Sequence, residues 1–182
     1  MLLAVPAETR ASERRVAMVP DVARRLVEAG WSVAVQAGAG ERAAFDDSSY
    51  VAAGAQIVPD PEALLDGADV VLAVNPPDKG TLVTLVDGAS VVSFLQAAAQ
   101  PELMAALSAK KAHVFSFDLV PRISRAQSMD ALSSQATVAG YRAGLLAAGH
   151  LTKFFPMFMT DAGTVPQAKG LLLGVGVAGL QA

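Results

Sequence analysis

The chain has 182 residues, of which 53% are hydrophobic and 17% are charged, so it can bury a core and is not intrinsically disordered. Its 14 Lys and Arg residues against 17 Asp and Glu residues give a formal net charge of −3, which argues against nucleic acid as a partner. The sequence has no cysteine and only two histidines, which excludes disulfides, a thiolate nucleophile and a Cys-based or His-rich metal site.

Short apolar runs alternate with helix-like stretches along most of the chain, which predicts an α/β fold with a mostly parallel sheet. The predicted strands are Leu2–Val5, Trp31–Val35, Val70–Val74, Ser90–Leu95, His113–Phe117 and Gly170–Leu173. The predicted helices are one of about nine residues between Pro20 and Gly30, a short one at Ser49–Ala53, and Pro61–Asp66, Lys79–Val86 and Pro101–Lys111. The second strand alternates large apolar residues with small or polar ones, which favours an edge position in the sheet.

The composition changes near Pro121, and no proline occurs between Ser124 and Phe155. Apolar residues recur there at three- and four-residue steps, which predicts one unusually long helix. We therefore expect three parts: an N-terminal α/β lobe of flavodoxin-like or Rossmann-like type at 1–125, a long linking helix at 126–155, and the first strand and glycine turn of an incomplete Rossmann lobe at 156–182.

The apolar runs are too short to cross a membrane, because a spanning helix needs about 18–20 consecutive apolar residues. The longest runs, Ala143–Leu151 and Gly170–Leu180, are both interrupted by glycines. The N-terminus lacks the basic and long apolar regions of a secretory signal. We therefore predict a cytoplasmic location and no transmembrane segment.

A G-x-G-x-x-G pattern at Gly174, Gly176 and Gly179 directly follows the last predicted strand and leads into a helix start. This context predicts a dinucleotide-binding turn, in which N–H groups around Val177 hold a pyrophosphate. The alternative is an ordinary glycine-rich turn in a core. The acidic residue that binds the ribose is expected about 20 residues further on, beyond Ala182, so this chain does not complete such a site by itself.

A second match, Gly38–Ala43, also follows a predicted strand. Glu41 would stand where the phosphate binds, and the residues after it are typical of a turn rather than a helix. We therefore interpret this match as a surface loop.

A polar cluster begins beside Arg122 and continues into the predicted long helix. On an α-helix, Gln127, Asp130, Ser133 and Ser134 would share an arc of roughly 120°, so they could form one donor and acceptor face. The alternative is local capping, because Ser124-x-x-Gln127 is itself a capping box and an early Asp130 complements the helix dipole.

The segment Pro121-Arg-Ile-Ser-Arg-Ala-Gln-Ser-Met-Asp-Ala-Leu-Ser-Ser-Gln135, followed by Ala139-Gly-Tyr-Arg-Ala143, resembles domain I of the proton-translocating NAD(P) transhydrogenases. The similarity covers essentially the whole chain and includes Arg14–Ala17, Ser93–Leu95, Pro101–Met104 and Gly174–Gly179. The N-terminal pieces are shared with the alanine dehydrogenases, which are similar in fold.

The resemblance implies an NAD(H)-binding domain that passes hydride to NADP(H) held by another domain. It assigns the hydride-transfer region to Arg122, Gln127 and Asp130, with Ser133 fixing the nicotinamide and its ribose. The remaining implied cofactor contacts are Ile123, Ser124, Arg125, Ser128, Met129, Gly174, Gly176, Val177 and Gly179. It further implies a homodimer and a place peripheral to the inner membrane, where an NADP-binding domain and membrane subunits are the partners.

The sequence departs from the alanine dehydrogenases at the positions that bind their keto acid. Those enzymes carry a lysine after the Val70–Val74 strand and a histidine after the Ser90–Leu95 strand, whereas this chain has Ala73, Asn75 and Gln96 in those regions. Arg15 remains, and we interpret it as a solvated surface charge. An alanine-dehydrogenase-like oxidoreductase and a non-catalytic remnant or interaction module are the alternatives. Domain I of the transhydrogenases is longer, so we expect these 182 residues alone to be inactive.

Overall fold

The computed structural model describes residues 1–182 apart from the side chain of Lys79, and the chain forms two compact units, Met1–Val120 and Pro121–Ala182. The strands of the first unit are β1 Leu2–Val5, β2 Ser32–Gln36, β3 Gln56–Val58, β4 Val70–Leu72, β5 Ser90–Ser93 and β6 His113–Ser116. Its helices are α1 Pro20–Glu28, α2 Asp47–Ala52, α3 Pro61–Leu65, α4 Lys79–Thr84 and α5 Pro101–Ala109. The second unit contains α6 Ala131–His150, the strands β7 Phe158–Thr160 and β8 Gly163–Val165, and α7 Val177–Gln181.

The first unit is built on one parallel sheet of six strands in the order β3-β2-β1-β4-β5-β6. Alternate residues of β1 enter opposite layers: Leu3 and Val5 pack with α1 and α2, whereas Ala4 packs with α3 and α5. Both faces of the sheet are therefore buried, as parallel sheets require. The predicted α/β fold with a mostly parallel sheet is confirmed.

The starts of the short helices follow from single capping residues. Asp46, Asp60 and Asp78 each accept a backbone N–H of the helix that follows, and these helices are α2, α3 and α4. The helix α1 begins with Pro20 at its first position and stops before Gly30, whose φ of +88° suits glycine. Pro20 and Gly30 are the signals from which α1 was predicted.

The predicted edge position of β2 is wrong. The strand β3 pairs outside it, and Val33, Ala34 and Val35 are all buried. The short β3 escapes prediction because only three residues, Gln56–Val58, stand before Pro59 and the first of them is polar. The observed edge on the other side is β6, where the Phe115 side chain is 59% exposed.

The long helix is shorter than predicted at both ends. The segment Ser124–Met129 forms a 3-10 helix, α6 begins after Asp130, and it ends at His150. The Asp130 carboxylate accepts the N–H of Ser133, and this N-cap separates the two helical types. The predicted capping box of Ser124 and Gln127 is not formed, because the residue at that N-cap position is Ile123, which makes no side-chain cap hydrogen bond.

The predicted strand Gly170–Leu173 is also wrong. These residues belong to neither sheet, and Leu171 and Leu173 are 84% and 92% exposed. An apolar run becomes a strand only where a neighbouring strand takes its backbone hydrogen bonds. The second unit instead forms the hairpin β7–β8, in which Phe158 pairs with Val165, within the region predicted as turns.

Candidate functional site

The candidate site lies in the second unit, where the first half of α6 faces the glycine turn before α7. An open cleft of about 390 Å³ separates them. It is lined by Arg122, Leu132, Ser133, Ala136, Leu172, Leu173, Gly174, Gly176, Val177, Ala178 and Gly179. Six of the predicted site residues are therefore brought together here: Arg122, Ser133, Gly174, Gly176, Val177 and Gly179.

The glycine turn has the geometry that its spacing predicts at two positions. Gly174 has φ +110°, a conformation that residues with a side chain rarely adopt. A Cβ on Gly179 would lie 3.0 Å from the carbonyl carbon of Gly174 and closer still to its oxygen, so only glycine closes the turn. The helix α7 then begins at Val177, and the first N–H groups of a helix have no partner within it.

The opposite wall of the cleft is organised by Asp130. Its two carboxylate oxygens accept the backbone N–H of Ser133 at 2.9 Å and the Ser133 hydroxyl at 2.6 Å. These two hydrogen bonds, the hydroxyl first, and the positive charge of Arg122 hold the pKa of Asp130 below its ordinary value. Asp130 itself does not line the cleft, so its ionised carboxylate acts there through Ser133, whose orientation it fixes.

The predicted common helical face is wrong. Gln127 lies in the 3-10 segment and Asp130 in the cap, so of the four polar residues only Ser133 and Ser134 belong to α6. The 100° spacing of an α-helix does not apply across the Asp130 cap. Gln127 is exposed and does not line the cleft.

The other predicted contacts precede α6 and lie at the surface. They are Ile123, Ser124, Arg125, Ser128 and Met129, all exposed and none in the cleft lining. Ala126 is the buried residue of this segment, at 4% exposure, and it anchors the 3-10 turn. The five cleft residues that sequence reasoning did not assign to the site are Leu132, Ala136, Leu172, Leu173 and Ala178. The four-residue spacing of Leu132 and Ala136 places them on one face of α6 and is the signal in the sequence that could have found them.

The other glycine match, Gly38–Ala43, is packed tightly against neighbouring residues of the protein. Glu41–Ala43 forms a 3-10 turn, and Asp47 accepts the N–H of Gly38 at 2.9 Å. A Cβ on Gly40 would lie 2.7 Å from the Phe45 carbonyl oxygen and 2.8 Å from the Tyr50 ring. This agrees with the predicted surface loop, because no room is left for a phosphate.

Arg15 is 43% exposed, which agrees with the predicted surface charge, and its side chain also joins a polar network after β1 and β4. Its Nε and Nη2 donate to the two carboxylate oxygens of Glu13 at 2.8 and 2.7 Å. Asn75 donates from Nδ2 to Glu13 at 3.0 Å and to Glu8 at 2.7 Å. The hydrogen bond from Arg15, opposed by desolvation and aided by Asn75, holds the pKa of Glu13 at about 2.

The cavity beside this network is small. Its volume of about 40 Å³ is roughly a tenth of the 390 Å³ of the candidate site. A larger cleft of about 720 Å³ lies by α4 and α5, and two of its polar side chains, Asp78 and Gln100, make hydrogen bonds within the fold. Asp78 caps α4, and Gln100 donates to the Leu95 carbonyl at 3.1 Å. Neither cavity presents the phosphate-binding geometry of the glycine turn.

The two histidines are the remaining candidates for catalysis or metal binding. His113 opens the edge strand β6 and His150 ends α6, and both are exposed. In the described part of the chain, no three His, Asp or Glu side chains are grouped closely enough to bind a metal ion. No described helix has both the length and the apolar character that crossing a membrane requires.

An α/β fold with a glycine turn that opens onto a mostly apolar cleft with a few polar side chains, here Arg122 and Ser133, is typical of dinucleotide-binding proteins. The family model of the alanine dehydrogenase/PNT N-terminal domain matches residues 4–139, and that of the C-terminal domain matches residues 143–182. The chain belongs to this family.

Within the family, the transhydrogenases are the more similar branch. The chain is 44% identical to NAD(P) transhydrogenase subunit alpha of Cereibacter sphaeroides, over 100% of the chain and 35% of the relative. It superimposes on the crystal structure of transhydrogenase from Sinorhizobium meliloti with a TM-score of 0.94 at 39% identity, over 100% of this chain and 52% of that one. Alanine dehydrogenase of Bacillus subtilis is 31% identical, over 100% of the chain and 48% of the relative. The chain thus spans between about a third and about half of the length of these proteins.

Proposed function

We propose that this chain is the NAD(H)-binding part of a proton-translocating NAD(P) transhydrogenase, in which hydride passes between NAD(H) and NADP(H). The observation that carries this proposal is the cleft in which a G-x-G-x-x-G turn faces Arg122 and Ser133. The similarity to a transhydrogenase alpha subunit at 44% identity supports the same assignment.

The glycine turn is the proposed site of the cofactor diphosphate. Gly174 and Gly176 let the backbone approach the phosphates closely, Gly179 closes the turn, and the N–H of Val177 faces the anion. A helix start that lacks acidic residues suits this role, and the first turn of α7 contains none.

The opposite wall is the proposed site of the nicotinamide and its ribose. Arg122 donates to the carboxamide, while Asp130 and Ser133, fixed by their two hydrogen bonds, bond the ribose hydroxyls. The exposed segment before them completes the wall with the side chain of Gln127 and with the backbone of Ile123–Arg125 and Ser128–Met129. Bound NADH supplies the hydride, and these residues contribute only positioning, because hydride moves over short distances.

The partners follow from the same proposal. Hydride transfer needs a second nucleotide, which we place on an NADP(H)-binding domain that docks against this one. We further propose a homodimer that sits at the inner membrane through its membrane subunits, and we expect no hydride transfer by these 182 residues alone.

The alanine-dehydrogenase alternative is less well supported. The chain has Ala73, Asn75 and Gln96 in the regions where those enzymes carry a lysine and a histidine, Arg15 pairs with Glu13, and the adjoining cavity is about 40 Å³. Pyruvate- and ammonia-dependent oxidation of NADH by this protein would favour that alternative. The interaction-module alternative requires that the protein have no nucleotide affinity.

Saturation-transfer NMR titration with NADH tests the proposal, because it detects binding even where the affinity is low. Arg122→Ala should raise the Kd by about tenfold or more, since hydrogen bonds from charged groups contribute about 1.5–3 kcal/mol. Arg142→Ala removes the same charge from an exposed position of α6 and is the matched control. Equal Kd values for the two variants, or no saturation transfer to NADH with the parent, would overturn the proposal.

A further inference from the structure

The helix α7 sits directly on a glycine of α6. Gly140 is the buried residue of α6, and a Cβ on it would lie 2.8 Å from the carbonyl carbon of Ala178 and closer still to its oxygen. Real Cβ atoms essentially never approach heavy atoms within 3.0 Å. The obstacle is backbone, which cannot turn aside as a flexible side chain can. The backbone of α7 therefore occupies the space that any side chain at 140 would need.

Three glycines of α6 differ in this respect. One turn after Gly140, a Cβ on Gly144 would lie 3.0 Å from the carbonyl oxygen of Ala182, a tight but adjustable contact. Around Gly149 nothing lies within 4 Å. Glycine weakens a helix interior relative to alanine, so each of these positions costs helix stability. Only at 140 does the structure give a compelling steric reason to keep glycine.

The contact at Gly140 extends to the glycine turn. Ala178 follows Val177, which lines the cleft, and Gly179 closes on the Gly174 carbonyl. The distance between Ala178 and α6 therefore sets the position of the whole turn relative to α6. On the same helix, Ser133 and Ala136 form the opposite wall of the cleft. One helix thus supplies both a wall of the cleft and the seat of the turn that faces it.

We propose that Gly140 is a positioning residue that sets the width of the cleft by seating α7 against α6. This inference rests on the proposed function for the identity of the occupant, an NAD(H) diphosphate. In the usual dinucleotide fingerprint the third glycine permits close packing of helix against strand. Here the close packing is of helix on helix, and the glycine that permits it stands on α6, outside the fingerprint.

The test compares Gly140→Ala, Gly144→Ala and Gly149→Ala by two measurements. The first is hydrogen exchange of the amides of Val177–Gln181 without nucleotide, which reports the seating of α7. The second is the Kd for NADH by saturation-transfer NMR. Melting temperature and far-UV circular dichroism show whether α6 and the first unit stay folded, because alanine at 140 should support α6 as well as alanine at 149 does.

Gly140→Ala should speed exchange in α7 and raise the Kd for NADH, each by about tenfold or more, because the added methyl group must push the backbone of Ala178 away from α6. Gly149→Ala should leave both within about twofold, and Gly144→Ala should fall between them. A positioning role changes the affinity while the melting temperature stays near that of Gly149→Ala. If Gly140→Ala does not fold, Gly144→Ala is compared with Gly149→Ala instead. Faster exchange in α7 and a higher Kd in Gly144→Ala then support the proposal, and equal values overturn it.

Two results separate the possible failures. Parent-like exchange and parent-like affinity in Gly140→Ala would overturn the positioning role while the proposed function stands. If the parent has no affinity for NADH, the proposed function fails. The exchange measurement then still decides whether Gly140 seats α7, and equal exchange in all three variants would overturn that as well.

Discussion

The two glycine-rich turns of this chain share a spacing but differ in what surrounds them. Gly38–Ala43 follows β2 and is filled by the molecule itself, with Gly40 against Tyr50 and Asp47 bonded to the N–H of Gly38. Gly174–Gly179 precedes α7 and opens onto a cleft of about 390 Å³. Glycine spacing allows close approach of some group to the backbone. The neighbouring side chains decide whether that group belongs to the protein or to a ligand.

The same contrast extends to the units that contain the turns. At the carboxyl ends of the first unit's strands, Glu8, Glu13, Arg15 and Asn75 satisfy one another and leave a cavity of about 40 Å³. In the second unit, Asp130 and Ser133 also bond each other, but they do so beside open space. Polar groups that make their hydrogen bonds within the protein stabilise the fold, whereas polar groups at an open cleft can also bind a ligand.

The largest expected effect comes from exchanging one glycine in each turn for alanine. Gly40→Ala would force a Cβ to within 2.9 Å of three atoms of Phe45 and Tyr50, so it should lower the free energy of unfolding by about 3 kcal/mol. Gly176→Ala meets nothing within 4 Å and should leave the stability nearly unchanged, but it should raise the Kd for NADH by roughly tenfold, because its methyl group would face the diphosphate.

Urea denaturation measures the stability of the two variants, and titration with NADH measures their affinity. The comparison of the turns would be wrong if Gly40→Ala weakened NADH binding at unchanged stability. It would also be wrong if Gly176→Ala destabilised the protein while leaving the affinity intact.

A smaller effect is expected from acid. Because the pKa of Glu13 falls from 4.5 to about 2 on folding, its stabilising contribution is present above about pH 4.5 and is lost as the pH falls toward 2. Arg15 is 43% exposed, so solvent screens the pair, and we expect a contribution of about 1 kcal/mol or less.

Urea denaturation of the parent and of Glu13→Gln across that pH range measures this contribution. The parent should be the more stable at neutral pH, and the difference should vanish near pH 2. A difference that persists at the acid end would assign the effect to packing rather than to charge.

The first unit was largely predictable because its signals are local. Asp caps, Pro20, Gly30 and two-residue periodicity are each contained in a few neighbouring residues. What escaped depends on partners distant in sequence. The strand β3 is only three residues long and exists because β2 lies beside it, and Gly170–Leu173 is not a strand because nothing pairs with it.

The site was less predictable for the same reason. The glycine turn and Arg122 could be recognised from motif and resemblance, but the cap at Asp130 changed the helical geometry on which the predicted face depended. A single carboxylate that accepts two hydrogen bonds from Ser133 moved the helix start beyond Gln127. The seat of α7 on Gly140 had no signal in the sequence, since a glycine in a helix does not reveal what it contacts.

The smallest effect is expected at Glu41. Its substitution tests whether negative charge or tight packing excludes a nucleotide from the Gly38–Ala43 turn. The Glu41 carboxylate lies 3.5 Å from the position of a Cβ on Gly38, and its negative charge would repel a phosphate. If charge alone excluded the nucleotide, Glu41→Ala would create a second site for NADH. We expect no second site and a stability change below about 0.5 kcal/mol, because Tyr50 and Asp47 still fill the turn. The stoichiometry of NADH binding by calorimetry decides, and a second site in this variant would show that the two turns differ by charge rather than by packing.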